Sequence, residues 1–279
     1  MGSGRGSGDH SLVEWESVLH EAAERVQDVR DRLISTQRGT ERIGQGAGGD
    51  ITMRVDQEAE EEIIELVKQK GDVRLIAEEH GESGPKDAKW TVVIDPIDGS
   101  SNFERGIPFY CTSIAVLRGK TLDDATHALV RNLVNGDTYY SEAGGYSTKN
   151  GAQIKTSALE DLREATLGID ISRTTLPVVR SMNSLISSIK RQMHFGANAL
   201  EACYLAEGRL DGFLDVRGRI RVVDLAAGYL IARQAGAVFS DERGGGLNPA
   251  ISVGERFSVV GAANRALHAR ILGKLKAGS

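Results

Sequence analysis

Hydrophobic positions fall along this chain in three textures. Between Ser11 and Leu33 they step by three and four: Leu12, Trp15, Leu19, Ala22, Val26, Val29 and Leu33. That spacing lays one apolar stripe along a long helix. Ser11 and Glu14 open it with capping-box spacing. A single stripe suits packing on a sheet better than a two-stranded coiled coil. The run 39–49, GTERIGQGAGG, has no period and reads as a mobile loop, placed so that it forms a lid. A second helix is expected over 57–70, with Gly71 as its stop.

Short apolar, β-branched runs then predict strands at 73–77, 91–94 and near 112–117. Residues 127–134 and 137–141 flank Asn135-Gly136, which reads as a hairpin with a type I′ turn. Asn150-Gly151 is a second turn signal. Beyond it the pattern alternates. Strands are expected at 165–169, 209–215, 237–240 and 257–260. Helices are expected at 177–191, 198–207, 224–235 and 264–276. The first half therefore reads as α+β with an antiparallel sheet and the second as α/β. A boundary near Gly151 divides residues 9–150 from 151–279, and no internal repeat is visible.

The bulk numbers narrow the class. At 279 residues the chain suits one large domain or two modest ones. Lys and Arg total 34 against 39 Asp and Glu, a net charge of −5 with the signs interspersed, which excludes a nucleic-acid footprint. No apolar run is long enough to span a membrane. The first ten residues, MGSGRGSGDH, lack an apolar signal region and read as a flexible tail. Cys111 and Cys203 lie far apart in apolar surroundings, which fits a reducing cytoplasm rather than a disulfide framework.

Candidate chemistry concentrates in acidic residues at element ends. Asp56 opens a helix, Glu78 and Glu79 end the run VRLIA, Asp95 and Asp98 end TVVI, and Asp224 opens DLAAGYLIA. In an α/β protein such ends converge on a crevice. Taken alone, Asp56 or Asp224 reads as a helix cap, and Glu78 with Glu79 as a solvated strand end. The segment DPIDGSS is harder to dismiss. Pro96 fixes its φ and forces a turn, and Gly99 permits unusual backbone geometry, so Asp95 and Asp98 can aim at one point. Carboxylates gathered in a crevice repel each other, and oxygen-only ligands suit Mg²⁺, Mn²⁺ or Ca²⁺. The six histidines show no zinc spacing. The amides of Gly99, Ser100 and Ser101 begin the next segment and offer a phosphate site beside the cations. Together these features predict metal-assisted phosphoryl hydrolysis by an activated water.

On these residues the chain resembles the inositol monophosphatase / fructose-1,6-bisphosphatase family, and within it the archaeal and bacterial members that accept both substrates. The family motif DPIDGTxNF is present as DPIDGSSNF, from Asp95 to Phe103. The preceding acidic motif is AEEHGES, from Ala77 to Ser83. The second motif, WDxAAGxLIxxEAGG, is VDLAAGYLIARQAGA, from Val223 to Ala237. The resemblance runs from about Leu12 to the end. It implies metal ligands at Glu78, Asp95, the carbonyl of Ile97, Asp98 and Asp224, with Asp95 bridging two ions. It implies catalytic roles for Glu78, Asp56 and Ser100, and phosphate held by the backbone of Gly99 and Ser100. It further implies a layered αβαβα sandwich, a homodimer, Mg²⁺ with Mn²⁺ as an alternative, and inhibition by Li⁺. Ser100 replaces the family's threonine and keeps the hydroxyl. Val223 replaces a tryptophan, and Arg42 stands where the family often has a mobile-loop lysine.

Substrate choice is expected to come from the second half. Arg217, Arg219 and Arg221 alternate in DVRGRIRVVD, so on an extended strand they share one face. They could grip a second phosphate bidentately or form a solvated basic edge. Arg173 and the turn 196–198 are further candidates. The expected substrates are fructose 1,6-bisphosphate and inositol 1-phosphate. A 3′-phosphoadenosine 5′-phosphate phosphatase is the alternative, ahead of a haloacid-dehalogenase-like phosphatase or a non-catalytic metal- and phosphate-binding scaffold.

Overall fold

The computed structural model describes residues 11–278, with side chains from Trp15 onward. The tail expected over the first ten residues, the Ser11/Glu14 capping box and the side chain of Leu12 lie outside what is described. Helix α1 (Ser11–Ser35) buries Trp15, Leu19, Ala22, Val26, Val29 and Leu33, the stripe read from the periodicity. Residues 39–49 are more ordered than a loop. They contribute β1 (Arg42–Gln45), which pairs antiparallel with β2 (Ile51–Met53). Helix α2 (Arg54–Lys68) follows directly, three residues earlier than expected.

A large mixed sheet comes next. It comprises β3 (Val73–Ala77), β4 (Gly81–Ser83), β5 (Trp90–Asp98), β6 (Cys111–Leu117), β7 (Ala125–Asn132), β8 (Thr138–Glu142), β9 (Ser147–Lys149) and β10 (Ala152–Gln153). Helix α3 (Ser100–Arg105) lies between β5 and β6. The spatial order is β10-β9-β8-β7-β6-β5-β3-β4, antiparallel except for the β3–β5 pair. Asn135-Gly136 does not make the expected type I′ turn, because only Gly136 has positive φ and the β7–β8 loop spans five residues, 133–137. The type I′ signature lies instead at Asn150-Gly151, where φ is 51° and 78° and Lys149 pairs with Ala152. The expected boundary thus falls in a tight hairpin.

The second half carries β11 (Thr166–Ile169), α4 (Leu176–Ile186), β12 (Arg191–Met193), α5 (Asn198–Ala206), β13 (Gly212–Ile220), α6 (Val222–Ala235), β14 (Val238–Ser240), β15 (Phe257–Ala262) and α7 (Arg265–Ala277). Its sheet runs β12-β11-β13-β15-β14, parallel across the first three and antiparallel at β15. Helix α4 stops at Ile186, a turn follows, and only the last residue of the predicted helix, Arg191, enters the exposed edge strand β12.

Period-two alternation builds the layers. Val92 and Ile94 of β5 pack with α1 and α2, whereas Val93 faces the opposite side with α5 and α6. Helices α5 and α6 are apolar almost all round because they lie between the two sheets. One apolar cluster joins Val93 and Ala128 to Leu200, Leu225 and Val259, so it draws on both halves. Helices α4 and α7 cover the far face of the small sheet through Met182, Leu185, Leu267 and Ile271. The order of layers is α, β, α, β, α.

Candidate active site

Strand β5 is buried along its whole length, so it can carry carboxylates to the rim only where its pairing changes. Pro96 does not end the strand in a turn, as the sequence had suggested. It has no N–H to give a ladder, and β5 bulges there. Asp95 still pairs with Ser113, but Asp98 pairs with Cys111 after a register shift. Ile97 lies inside the bulge with its side chain in the α1/α2 core. Gly99 then turns with φ 92°. A Cβ there would press on Phe109 O at 3.0 Å and Ala197 Cβ at 3.1 Å, so glycine is required. Asp98 accepts hydrogen bonds from Asn198 N (3.1 Å) and Ala199 N (2.7 Å), the first amides of α5.

Neighbouring elements deliver the other acids. Glu78 leaves β3 with its own amide donating to Ile94 O of β5 at 3.2 Å. Asp224 sits in the first turn of α6, and Asp56 in the first turn of α2, where it accepts from Met53 N at 3.0 Å. Asp56, Asp95, Asp98 and Asp224 are each at most 5% exposed. Burial pushes the Asp98 carboxyl up to about 8, with Asp224 adding repulsion and the two α5 amides opposing. Burial, then the charge of Glu78, raises Asp95 and Asp56 well above the usual carboxylate range. Glu78 is raised by burial, against the pull of Arg221, and shares a hydrogen bond with Asp95. Beside them Glu79, bonded by the Thr52 hydroxyl, and Glu60 are each pushed by burial to about 7. Glu60 holds the turn after β3 by accepting from Glu79 N (2.9 Å) and His80 N (2.6 Å).

One guanidinium answers part of this charge. Arg221 caps α6 and its Nη2 lies 2.6 Å from Asp224 Oδ1, while its Nη1 lies 2.7 Å from Glu78 Oε1. Its Nε donates to both Asp224 oxygens, at 3.0 and 3.1 Å. Burial works against the Arg221 charge, but Asp224 and Glu78 more than offset it. No group of three or more His, Cys, Asp or Glu among the described residues forms a ready metal site. The donor chemistry nevertheless fits a hard divalent cation. The ligand atoms are all oxygen, the carboxylates outnumber the cation among them, and Asp95 Oδ1 is buried with no hydrogen-bond partner.

A cavity of about 1100 Å³ opens above these acids, lined by Glu78, Asp224, Ser100, Ser101 and Asn102 and by several arginines. The amides that open α3 have no partners within their own helix. Asn102 fixes the cavity floor by donating to Phe109 O (2.8 Å) and Phe195 O (2.7 Å). Arg173, with φ 48°, and Arg219 lie on the wall as expected.

Arg217, Arg219 and Arg221 all line this cavity, but not by simple alternation, and the role expected of Arg217 needs correction. Gly218 takes φ 66° and β13 shifts register between Asp215 and Ile220, so alternation fails. Arg217 also lines the cavity, but its donors are used: Nε goes to Asp215 Oδ1 (2.9 Å), Nη1 to Ser172 O and Oγ (2.8 and 2.9 Å), and Nη2 to Asp215 (2.6 Å) and Asp170. It is a buttress rather than a phosphate clamp. Arg42 pairs with Glu104 at 2.7 Å. The sequence reading missed Arg105, Arg256 and His194 on the cavity wall, and Asp170, which lies 3.7 Å from His194 Nε2. No local pattern marked them; only the return of three distant loops to one rim does.

Comparison with known proteins matches residues 11–278 to the inositol monophosphatase family. The chain is 34% identical to a fructose-1,6-bisphosphatase/inositol-1-monophosphatase of Methanothermobacter thermautotrophicus, over 96% of this chain and 99% of that protein. It is 32% identical to a bifunctional NADP phosphatase/NAD kinase of Methanococcus maripaludis, over 86% of this chain but only 45% of that longer protein. A solved inositol monophosphatase–fructose 1,6-bisphosphatase structure superimposes with a TM-score of 0.82 at 28% identity, covering 93% of this chain and 99% of that one.

Proposed function

The chain belongs to the inositol monophosphatase family and is a phosphoric monoester hydrolase, and from that premise we propose that it hydrolyses fructose 1,6-bisphosphate and inositol 1-phosphate with Mg²⁺. The observation that carries the metal requirement is the buried group Glu78, Asp95, Asp98 and Asp224, four carboxyls that share the single guanidinium of Arg221, with Asp95 Oδ1 unpartnered. These four, with the carbonyl of Ile97, would hold the ions. Bound there, Mg²⁺ supplies Lewis-acid polarisation of the phosphoryl group and of the attacking water.

The remaining work falls to the chain's own groups. The amides of Gly99 and Ser100 bind the phosphate oxygens, and the Ser100 hydroxyl orients the water. Asp56, raised by burial and by the charge of Glu78, and Glu78, raised by burial and by the charge of Asp224, take its proton. Asn102 and the two α5 amides on Asp98 keep this rim from shifting as charge moves. Arg105, Arg173 and Arg219, which line the cavity and carry no carboxylate partner among the described residues, favour a substrate with a second phosphate.

A second reading has its own support. The cavity of about 1100 Å³ is larger than a monosaccharide needs, and one relative is a bifunctional NADP phosphatase/NAD kinase. A phosphorylated nucleotide is therefore the alternative substrate. The purified protein should be assayed with fructose 1,6-bisphosphate, inositol 1-phosphate, 3′-phosphoadenosine 5′-phosphate and NADP⁺, with EDTA and then with Mg²⁺. Release of phosphate from the first two, abolished by EDTA and restored by Mg²⁺, is expected. A strong preference for either nucleotide replaces the reading, and undiminished turnover in EDTA removes the metal. We also expect a homodimer, which sedimentation tests, and a cytoplasmic setting. No helix of the described residues is long and apolar enough to cross a membrane.

A further inference from the structure

Arg221 occupies the place where two expected metal ligands face each other. Its guanidinium joins Glu78 Oε1 to Asp224 Oδ1 at 2.7 and 2.6 Å. An ion shared by these two carboxylates would compete with the guanidinium for the same oxygens. The arginine does not finish the job, since Asp95 Oδ1 stays without a partner. Around the guanidinium the segment 46–50 is folded down. Ala47 N donates to Glu79 O (3.1 Å) and Gly48 N to Glu78 O (2.9 Å), and Arg256 Nη2 holds Gly48 O at 3.0 Å. A Cβ on Gly48 would lie 2.7 Å from Arg221 Nη1, so the segment rests on the arginine itself. Asp50, exposed at the outer end, already reaches Nη1 at 3.4 Å.

We propose that Arg221 is a tethered counter-cation, which holds Glu78 and Asp224 together in the metal-free protein, must withdraw from them for Mg²⁺ to bind, and so couples loading of the site to release of segment 46–50. The inference rests on the metal-dependent reading above. Its physical basis is competition. A carboxylate oxygen committed to an N–H at 2.6–2.7 Å must give up that bond to an ion, and a positive charge left between the two ligands would repel the ion. Asp50 offers the displaced guanidinium a new partner toward solvent. Arg217, four residues earlier, has no such alternative and stays where it is.

The test titrates Mg²⁺ alone, by calorimetry, into the chelator-treated full chain and into Arg221→Met and Arg221→Lys. Arg221→Met should bind Mg²⁺ at least tenfold more tightly than the unmutated protein, with Arg221→Lys between them. Its melting temperature should fall below the unmutated value in EDTA and recover with saturating Mg²⁺. Equal or weaker binding by Arg221→Met overturns the proposal and leaves the phosphatase reading intact. No uptake of Mg²⁺ by the unmutated protein overturns both. Should Arg221→Met fail to fold, ¹⁵N-arginine NMR of the unmutated protein decides. The protected Nε–H signal that Arg221→Lys deletes should vanish on adding Mg²⁺ while that of Arg217 persists. Survival of the Arg221 signal at saturating Mg²⁺ overturns the proposal.

Discussion

Arg217 and Arg221 lie four residues apart and each holds two carboxylates within 2.7 Å, yet the two clusters behave as opposites. Around Arg217, Asp170 and Asp215 meet one fork whose remaining donors go to Ser172, so every donor of the guanidinium is used. Around Arg221, the same fork meets Glu78 and Asp224, but Asp95 and Asp98 stand behind them with no cation of their own, Asp98 held by two α5 amides and Asp95 Oδ1 by nothing. The first cluster is a finished piece of architecture. The second is stable only in part and therefore has something to gain from a ligand. Similar residue types give structure in one place and chemistry in the other. The difference is how many carboxylates the surrounding elements deliver.

The contrast can be tested from both sides. Arg217→Met leaves the buried Asp215 without its cation and Asp170 with only His194 nearby, and should cost about 3–5 kcal/mol of stability in denaturant unfolding. A loss under about 1 kcal/mol would show that Arg217 is not a buttress. On the other side, Asp95→Asn should leave the fold intact and lower turnover about a thousandfold, roughly 4 kcal/mol at about 1.4 per tenfold. Phosphate release near the unmutated rate would take Asp95 out of the reaction. Gly99→Ala forces a side chain into a left-handed turn against Phe109 O, and should destabilise by about 1–3 kcal/mol. Its melting curve settles this, and an unchanged midpoint would mean the bulge adapts. The last effect is a slope in pH. The folded-state value of Asp98 is raised to about 8, so between about 4 and 8 the folded protein holds a proton that the unfolded chain has lost. Stability of the metal-free protein should therefore fall as pH rises through that window, by at most about 1.4 kcal/mol per unit for this one proton. Asp98→Asn should flatten the slope, and a metal-free protein that gains stability over that range would contradict the assigned repulsion.

Much of this was legible before any fold was known. The stripe of α1, the strands β3, β5 and β6 and the helices α5, α6 and α7 follow from apolar period alone. The failures have local physical causes. A glycine-rich segment formed β1 because β2 was available to pair with it. Asn135-Gly136 lost its expected turn to a longer loop in which Asn135 accepts from Asp137 N at 3.0 Å. Pro96 was absorbed by a bulge instead of ending β5. Simple alternation of Arg217, Arg219 and Arg221 gave way because Gly218, at φ 66°, and a register shift interrupt β13, although all three still line the cavity.

The sequence by itself determined which acids were available, because residue type and the strand-end or helix-start position are local properties. It determined the layered architecture too, since apolar period dictates which faces must be covered. Which charges would meet was decided only in three dimensions. The partners of Arg221 are three residues away at Asp224 and far upstream at Glu78, and those of Arg217 are Asp215 nearby and the more distant Asp170. Electrostatic energy depends on distance and burial rather than on separation along the chain. The balance of charge that separates a buttress from a reactive centre therefore exists only once the sheets have packed.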